Sequence, residues 1–312
     1  MQSILQQDYP NAKLEVIVID DHSEDDTAAQ VSCIADQRIR LLQLQDGTFG
    51  KKTALSKGIE SARGEIIITT DADCTFNENW LKHLASSFQN GHDMVLGPVQ
   101  MKSNGQLLQS WQGLDVCGTI LLTGAAVAAG HPILANGANL AFRKTLFEQL
   151  DGFNGNAERA SGDDIFLLQK AVQDPSTRIA FTFHRDAIAT TIPAPTWSKL
   201  FWQRLRWAGK TSGYTDIYLL LFQAGVYVLN AGLLLGLILV FVYPVFIPYV
   251  LLAWLIKAVS EFFYLRFATK EIGNRAWLYW FPISFFLHSV YVVLIGSLAL
   301  LPFSSKWKGR KV

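Results

Sequence analysis

The sequence has few charged residues and few cysteines, and each shortage narrows the class of protein. Only 17% of the 312 residues are charged and 50% are hydrophobic, whereas about 25% of residues in an ordinary soluble domain are charged. The three cysteines, Cys33, Cys74 and Cys117, are far apart. They form neither an even set for a disulfide framework nor a closely spaced pair for a zinc site. We expect reduced thiols in a cytoplasmic domain.

The charges also lack the basic clustering that nucleic-acid-binding proteins have. From Asp216 onward there are 8 basic and 3 acidic residues, against 19 basic and 23 acidic residues before it. Neither part has the concentrated basic surface that binding to nucleic acid requires, so we expect no nucleic-acid partner. Because the apolar excess lies in the basic part, the pattern indicates a mildly acidic domain followed by a basic membrane region.

The N-terminal part alternates short apolar runs with helical patterns. Residues 14–19 (LEVIVI) and 65–70 (EIIITT) are apolar runs that end at Asp20 and Asp71, and two stretches of helical spacing lie between them. Apolar runs that end in acidic residues are typical of a parallel α/β sheet, which gathers its ligands at the carboxyl ends of its strands. The pattern predicts a nucleotide-binding α/β half-domain.

Three apolar stretches predict a membrane region over residues 216–312. Residues 218–242 and 245–265 are each about 20 residues or longer, which is enough to cross a bilayer. The third stretch, residues 277–302, contains Pro282 and has an ambiguous topology. We therefore expect two or three transmembrane helices and a basic tail.

Four short polar motifs occur in a fixed order before these stretches. They are Asp20-Asp21-His22-Ser23, Asp71-Ala72-Asp73, Gly162-Asp163-Asp164 and Gln203-Arg204-Leu205-Arg206-Trp207. In this order they resemble the motifs of family-2 glycosyltransferases, of the membrane-anchored kind that includes cellulose, chitin and hyaluronan synthases and bacterial lipid glycosyltransferases. The resemblance implies a GT-A nucleotide-sugar-binding domain with a mostly parallel sheet over residues 1–196, followed by a C-terminal transmembrane helical region.

The resemblance assigns the sugar donor to acidic residues and one lysine. It implies that Asp20 and Asp21 bind the base and ribose, and that Lys51 at a helix start meets the donor phosphate. Asp73 is the implied metal ligand, and Asp71 the ribose or water-mediated contact. Oxygen ligands suit Mg²⁺ or Mn²⁺, which would neutralise the leaving diphosphate. Turns and helix caps are the alternative explanation for each of these residues.

The acidic pair Asp163-Asp164 resembles the family's catalytic position, where the second residue is the general base. Direct displacement at the anomeric carbon inverts its configuration and needs a carboxylate to accept the proton of the attacking hydroxyl. Asp164 is therefore the predicted base, although the family commonly has Glu at the position of Asp163. An acidic N-cap for the helix predicted over residues 165–172 is the alternative.

Residues 136–139 resemble a segment on the acceptor side of the family's pocket.

The last motif lies in a segment, residues 197–215, that is both aromatic and basic. Helical spacing places Gln203, Arg206 and Trp207 on one face. The resemblance implies that Arg206 helps hold the pyrophosphate and that Trp207 lies by the acceptor. The composition equally predicts an amphipathic segment at the membrane interface, and the two interpretations are compatible.

These observations predict a membrane-bound inverting glycosyltransferase. Its donor would be a nucleotide-diphospho-sugar, and we expect a UDP-sugar. Its acceptor would be a lipid or a glycan. We expect a multi-pass protein of the cell inner membrane with a cytoplasmic catalytic domain. The alternatives are a processive polysaccharide synthase of the same family and an inactive membrane fragment. The resemblance also implies a strand before the first helix that this sequence lacks, so we expect an N-terminally truncated chain.

Overall fold

The computed structural model describes residues 1–155, 162–209, 213 and 216–301, and the backbone of residues 306–307 and 310–311. The chain forms two compact units. Unit 1 comprises Met1–Pro98 and Thr123–Ala189, and unit 2 comprises Val99–Leu122 and Thr190–Val312. The sequence placed the whole of residues 1–196 in one domain, whereas here the segment Val99–Leu122 belongs with the C-terminal unit.

The described elements alternate in unit 1 and are mainly helical in unit 2. The strands are β1 (Val16–Asp20), β2 (Ile39–Gln43), β3 (Ile66–Thr69), β4 (Thr75–Phe76), β5 (Met94–Leu96), β6 (Val99–Met101), β7 (Leu140–Arg143), β8 (Ile179–Phe181), β9 (Ala189–Thr191), β10 (Lys306–Trp307) and β11 (Arg310–Lys311). The α-helices are α1 (Gln2–Leu5), α2 (Thr27–Ser32), α3 (Lys51–Ser61), α4 (Trp80–Gln89), α5 (Leu107–Ala128), α6 (Lys144–Gln149), α7 (Asp163–Gln173), α8 (Trp197–Ala208), α9 (Ile217–Leu239), α10 (Ile247–Glu271) and α11 (Phe281–Ala299).

The sheets of unit 1 are mixed in direction. Strands β1 and β2 pair in parallel, with Asp20 opposite Gln43. A four-stranded sheet has the order β3-β7-β5-β8. Strand β7 is antiparallel to both β3 and β5, while β5 and β8 are parallel. The predicted α/β class is confirmed, but the sheet is mixed rather than mostly parallel, because β7 enters it between β3 and β5 from the opposite direction.

The core of unit 1 covers both faces of this sheet. Met94 and Leu96 of β5 pack in a cluster with Leu167 and Leu168 of α7. Val95, between them, packs with Trp80 and other residues of α4 in a second cluster. Alternate residues of a strand point to opposite faces, so a strand covered by helices on both faces must be apolar throughout. The packing on both faces holds the strands in place, and with them the polar loops at the strand ends.

Two helices of unit 1 begin immediately after a glycine in a left-handed conformation. Gly50 has φ 103° and precedes Lys51, the first residue of α3. Gly162 has φ 90° and precedes Asp163, the first residue of α7. A side chain at either glycine would be strained, since L-residues rarely adopt these angles. The abrupt helix starts place Lys51 and Asp163 in the first turns of their helices.

Within the part of the chain that the structure describes, four helical segments are long and apolar enough to cross a membrane, judged by length and composition. They are Leu107–Ala128, Ile217–Leu239, Pro244–Glu271 and Arg275–Ala299. The last three coincide with the predicted membrane region. The first was not predicted, because Gln112 and Asp115 lower its hydropathy to 1.2, against 1.7 to 1.8 for the others. Within unit 2, Tyr264 of α10 donates a hydrogen bond to the Gly118 carbonyl of this helix at 2.7 Å.

Candidate active site

Lys51 joins the acidic residues of two predicted motifs. Its Nζ lies 3.1 Å from Asp71 Oδ1 and 3.5 Å from Asp163 Oδ2. The side chain of Asp163 is 7% exposed, and those of Lys51 and Asp71 are 37% and 46% exposed. Burial lowers the pKa of Lys51, but the carboxylates of Asp163, Asp71 and Asp164 raise it by more, so the net shift is upward. The lysine therefore remains a cation among carboxylates from two other chain segments.

Asp164 is oriented by the backbone of a loop that is distant in sequence. The Gly137 N–H donates to its Oδ2 at 3.0 Å, and the Ile165 N–H donates to its Oδ1 at 2.9 Å. Thr69 Oγ1 fixes Gly137 in turn by donating to its carbonyl at 3.0 Å. A carboxylate has about four lone-pair sites, so Asp164, which is partly exposed, can accept further hydrogen bonds.

Gly137 itself is closely surrounded. A Cβ at this position would lie 3.3 Å from Asp163 Oδ2, 3.5 Å from Lys51 Nζ and 3.7 Å from Asp164 Cβ. The backbone of residues 136–139, which the sequence assigned to the acceptor side, therefore lies directly against the acidic pair.

The first acidic motif forms a turn at the end of β1. Asp20 is 6% exposed, accepts from the Ser23 N–H at 3.0 Å and lies 3.5 Å from Gln43 Nε2. The hydrogen bond from the Ser23 side chain lowers the pKa of Asp20, and burial opposes this shift. Asp21 Oδ2 accepts from the Gly50 N–H at 3.2 Å, which ties the turn to the start of α3. The predicted turn is present, and the donor-binding role of both residues stays a prediction.

The metal-binding prediction concerns the loop after β3. Asp71 pairs with Lys51, whereas Asp73 is exposed, with its Oδ1 3.8 Å from Cys74 Sγ. Two carboxylates two residues apart supply the oxygen donors that a hard divalent cation takes. The exposed Asp73 carboxylate therefore fits Mg²⁺ or Mn²⁺ by donor type.

The predicted residues Gln203, Arg206 and Trp207 lie on α8, in unit 2. The buried polar member of this motif is Arg204, to which the sequence analysis assigned no role. Arg204 is 6% exposed, its Nη2 lies 2.8 Å from Asp115 Oδ2, and its guanidinium lies 4.6 Å from the centre of the Trp207 ring. Gln203, Arg206 and Trp207 are partly exposed. The available signal was Asp115, an isolated charge in an otherwise apolar helix.

Asn139 ends the segment that resembles the acceptor side of the family's pocket, and the sequence predicted no structural role for it. It is 1% exposed. Its Oδ1 accepts from Trp80 Nε1 at 3.0 Å, and its Nδ2 donates to the carbonyls of Pro98 at 2.7 Å and Ala187 at 2.8 Å. Gly97 leaves room for this amide, since a Cβ there would lie 2.3 Å from it. Asn139 thereby anchors the loop that carries Gly137.

Comparison with known proteins gives a family match for the N-terminal part of the chain. Residues 1–150 match the family described as Glycosyl transferase family 2. Glycosyltransferase AglE of Haloferax volcanii is 34% identical over 104 residues, which are 32% of this chain and 34% of AglE. Beta-monoglucosyldiacylglycerol synthase of Trichormus variabilis is 34% identical over 98 residues, which are 30% of this chain and 20% of the synthase. The chain thus spans about a third and a fifth of these two relatives.

A similar solved structure is that of TarS residues 1–349 from Staphylococcus aureus in complex with UDP-GlcNAc. It is 16% identical in sequence, covers 99% of this chain and 90% of its own, and has a TM-score of 0.46. The family match covers residues 1–150, and over these residues the chain is similar to family-2 glycosyltransferases, as the motifs predicted.

Proposed function

We propose that this protein is a membrane-bound inverting glycosyltransferase that transfers a sugar from a UDP-sugar to a lipid or glycan acceptor. The observation that carries the proposal is the pairing of Lys51 with both Asp71 and Asp163. Through these pairs Lys51, the residue assigned to the donor phosphate, contacts one residue of each of two acidic motifs within unit 1. The family match supports the class of reaction.

The donor would lie along the acidic loops at the strand ends. Asp20 and Asp21 would contact the base and ribose, and the Lys51 ammonium would attract the diphosphate. A Mg²⁺ or Mn²⁺ ion held by Asp73 would supply charge neutralisation for the leaving diphosphate. Lys51 supports this placement because it is half-exposed and remains cationic among its carboxylate partners.

Asp164 would perform the proton transfer. Its carboxylate accepts the proton of the acceptor hydroxyl while the hydroxyl oxygen forms a bond to the anomeric carbon. The bond from that carbon to the diphosphate oxygen breaks, and the nucleoside diphosphate leaves with the electron pair. A single displacement of this kind inverts the configuration. The hydrogen bonds from Gly137 and Ile165 support the role, because they orient the carboxylate without using all of its lone pairs.

The acceptor and the cellular location are proposed from unit 2. Gln203, Arg206 and Trp207 would contact the pyrophosphate and the acceptor. Helices α9 to α11 expose large apolar side chains, such as Tyr249 at 68%, which favours a multi-pass protein of the cell inner membrane with a cytoplasmic catalytic unit. A relative named as a monoglucosyldiacylglycerol synthase supports a lipid acceptor.

Calorimetric titration of the full chain in detergent with UDP, GDP and dTDP, with and without Mn²⁺, tests the donor site. We expect UDP to bind in a Mn²⁺-dependent manner and Asp73→Asn to lose that dependence. Asp174→Asn is the matched control, because Asp174 is a partly exposed carboxylate at the opposite end of α7 from Asp164. Lack of binding by all three nucleotides would contradict the proposal, and so would equal Mn²⁺ dependence in Asp73→Asn.

A further inference from the structure

Unit 1 contains a second group of potential metal ligands, outside the acidic residues described above. It consists of His83 on α4 and of His184 and Asp186 at the 3-10 helix Arg185–Ala187. One ligand atom from each residue can be chosen so that all lie within 4.8 Å of one another. Two imidazoles and a carboxylate form a donor set typical of zinc.

The separations within this group are close to those of an occupied site. His83 Nε2 lies 3.8 Å from Asp186 Oδ2, and His184 Nδ1 lies 4.0 Å from the same oxygen. Bonds of 2.0–2.1 Å at a tetrahedral angle put neighbouring ligand atoms about 3.4 Å apart. The two His–Asp separations therefore need to contract by about half an ångström to hold an ion, and the ligand atoms of the two histidines lie within 4.8 Å of each other.

The three side chains are accessible and have space to adjust. They are 32%, 49% and 36% exposed for His83, His184 and Asp186. The two rings are stacked, with centroids 3.6 Å apart and planes at 17°. Since both rings are open to solvent, rotation about χ2 can direct a nitrogen of each toward a shared ion. His184 Nδ1, which now accepts from the Asp186 N–H at 3.1 Å, would exchange that hydrogen bond for the metal.

The backbone segments that carry the group are fixed independently of any ion. Asn139 accepts from Trp80, three residues before His83, and donates to the carbonyl of Ala187, the residue after Asp186. The buried amide thus holds α4 beside the 3-10 helix. The segments that carry the three ligands are therefore close together before an ion binds. Lys82, the cation next to His83, is paired with Asp8, which reduces its repulsion of a bound ion.

We propose that His83, His184 and Asp186 form a surface site for Zn²⁺, with water as the fourth ligand. The site is distinct from the proposed Mg²⁺ or Mn²⁺ site, because imidazole favours zinc whereas an all-carboxylate site favours harder ions. A bound ion cross-links α4 to the 3-10 helix Arg185–Ala187. It therefore stabilises the folded state of unit 1, since an ion that binds the native state preferentially opposes unfolding.

Calorimetry with Zn²⁺ alone tests the site, on the full chain in detergent without a histidine tag. We expect one strong site, a higher unfolding temperature with Zn²⁺, and visible bands of tetrahedral Co²⁺ on substitution. His184→Gln should weaken Zn²⁺ affinity about tenfold or more. It should leave the unfolding temperature of the metal-free chain unchanged, because His184 is the most exposed ligand.

Two variants serve as controls. His92→Gln removes a histidine near the end of α4 whose Nδ1 is bonded to the Ser87 carbonyl at 2.9 Å, and it should retain full Zn²⁺ affinity. Asp73→Asn should retain it as well. Unchanged affinity in His184→Gln would overturn the proposal, as would a loss confined to Asp73→Asn or the lack of any strong site in the unaltered chain.

Discussion

Lys51 Nζ lies 3.5 Å from Asp163 Oδ2, and Asp163 is much the more buried partner, at 7% exposure against 37%. A buried carboxylate is stable only when it is paired or hydrogen-bonded. The lysine assigned to donor phosphate therefore also supports the acidic pair, so that fold and proposed chemistry depend on the same cation.

Lys51→Met should destabilise the protein through Asp163. Loss of the cation leaves a buried carboxylate, which we expect to lower the free energy of unfolding by about 1–2 kcal/mol, a modest value because Lys51 is partly screened by solvent. Adding Asp163→Asn should restore most of the loss. Lys57→Met on the same helix, where the pair with Glu60 is exposed, should have almost no effect. Urea unfolding of Lys51→Met, Asp163→Asn, the double variant and Lys57→Met measures this, and additive losses in the double variant would disprove the coupling.

Asn139→Ala should be among the more damaging single changes in unit 1. It leaves Trp80 Nε1 and the buried Ala187 carbonyl without their partner, whereas the Pro98 carbonyl keeps its hydrogen bond from the Ala189 N–H. Each buried group left without a hydrogen bond costs about 1–3 kcal/mol, so a total loss of about 3 kcal/mol is expected. Asn90→Ala, at an exposed helix end, is the control. Thermal unfolding in detergent compares the two variants. If Asn139→Ala and Asn90→Ala unfold at the same temperature, the Asn139 amide does not anchor the loop.

Asp20 should make stability depend on pH in the acid range. Its pKa is lowered in the folded state, above all by the Ser23 side chain. Its ionised form therefore stabilises the fold above the unfolded pKa of about 3.9, and the contribution disappears as the pH falls through the folded pKa. Asp20→Asn should lower the free energy of unfolding by about 1 kcal/mol at neutral pH. The difference in free energy of unfolding between Asp20→Asn and the unaltered chain should become smaller below about pH 4.

The exposed Asp46 provides the comparison for this pH profile. Asp46→Asn should follow the unaltered chain throughout. A difference between Asp20→Asn and the unaltered chain that persists undiminished at acid pH would rule out an ionic origin.

The two arginines of α8 should have different effects. Arg204 is buried against Asp115, and its replacement by Gln leaves that carboxylate without its close partner. We expect Arg204→Gln to lower the free energy of unfolding by about 3 kcal/mol, the scale for breaking a buried pair. Arg206→Gln should reduce stability less and sugar transfer more. Urea unfolding and sugar transfer are measured on both variants. A larger loss of stability in Arg206→Gln and a larger loss of transfer in Arg204→Gln would contradict these roles.

Local signals made the strands and the donor loops predictable. The apolar runs that end at Asp20 and Asp71 correspond to β1 and β3, and the glycine before Lys51 marks the start of α3. In each case the pattern and its consequence lie within a few residues, so short-range physics is sufficient.

The contacts that complete the site could not be predicted in this way. The bonds of Lys51 to Asp163 and of Gly137 to Asp164 depend on how β3, β7 and α7 pack, which no local pattern encodes. Strand β7 is only four residues long. Nothing within these four residues indicates that the strand runs antiparallel to β3. Helix α5 was missed because its polar residues are paired inside unit 2, as Asp115 is with Arg204.

The most direct test of the central claim compares Asp164→Asn with the unaltered chain for UDP binding and for sugar transfer. Release of UDP from UDP-sugars is measured in vesicles made from total membrane lipid, and UDP binding is measured by calorimetry with Mn²⁺. If Asp164 is the general base, Asp164→Asn retains UDP binding and loses transfer by about 100-fold or more, the scale of general base catalysis. Transfer at the rate of the unaltered chain would contradict it.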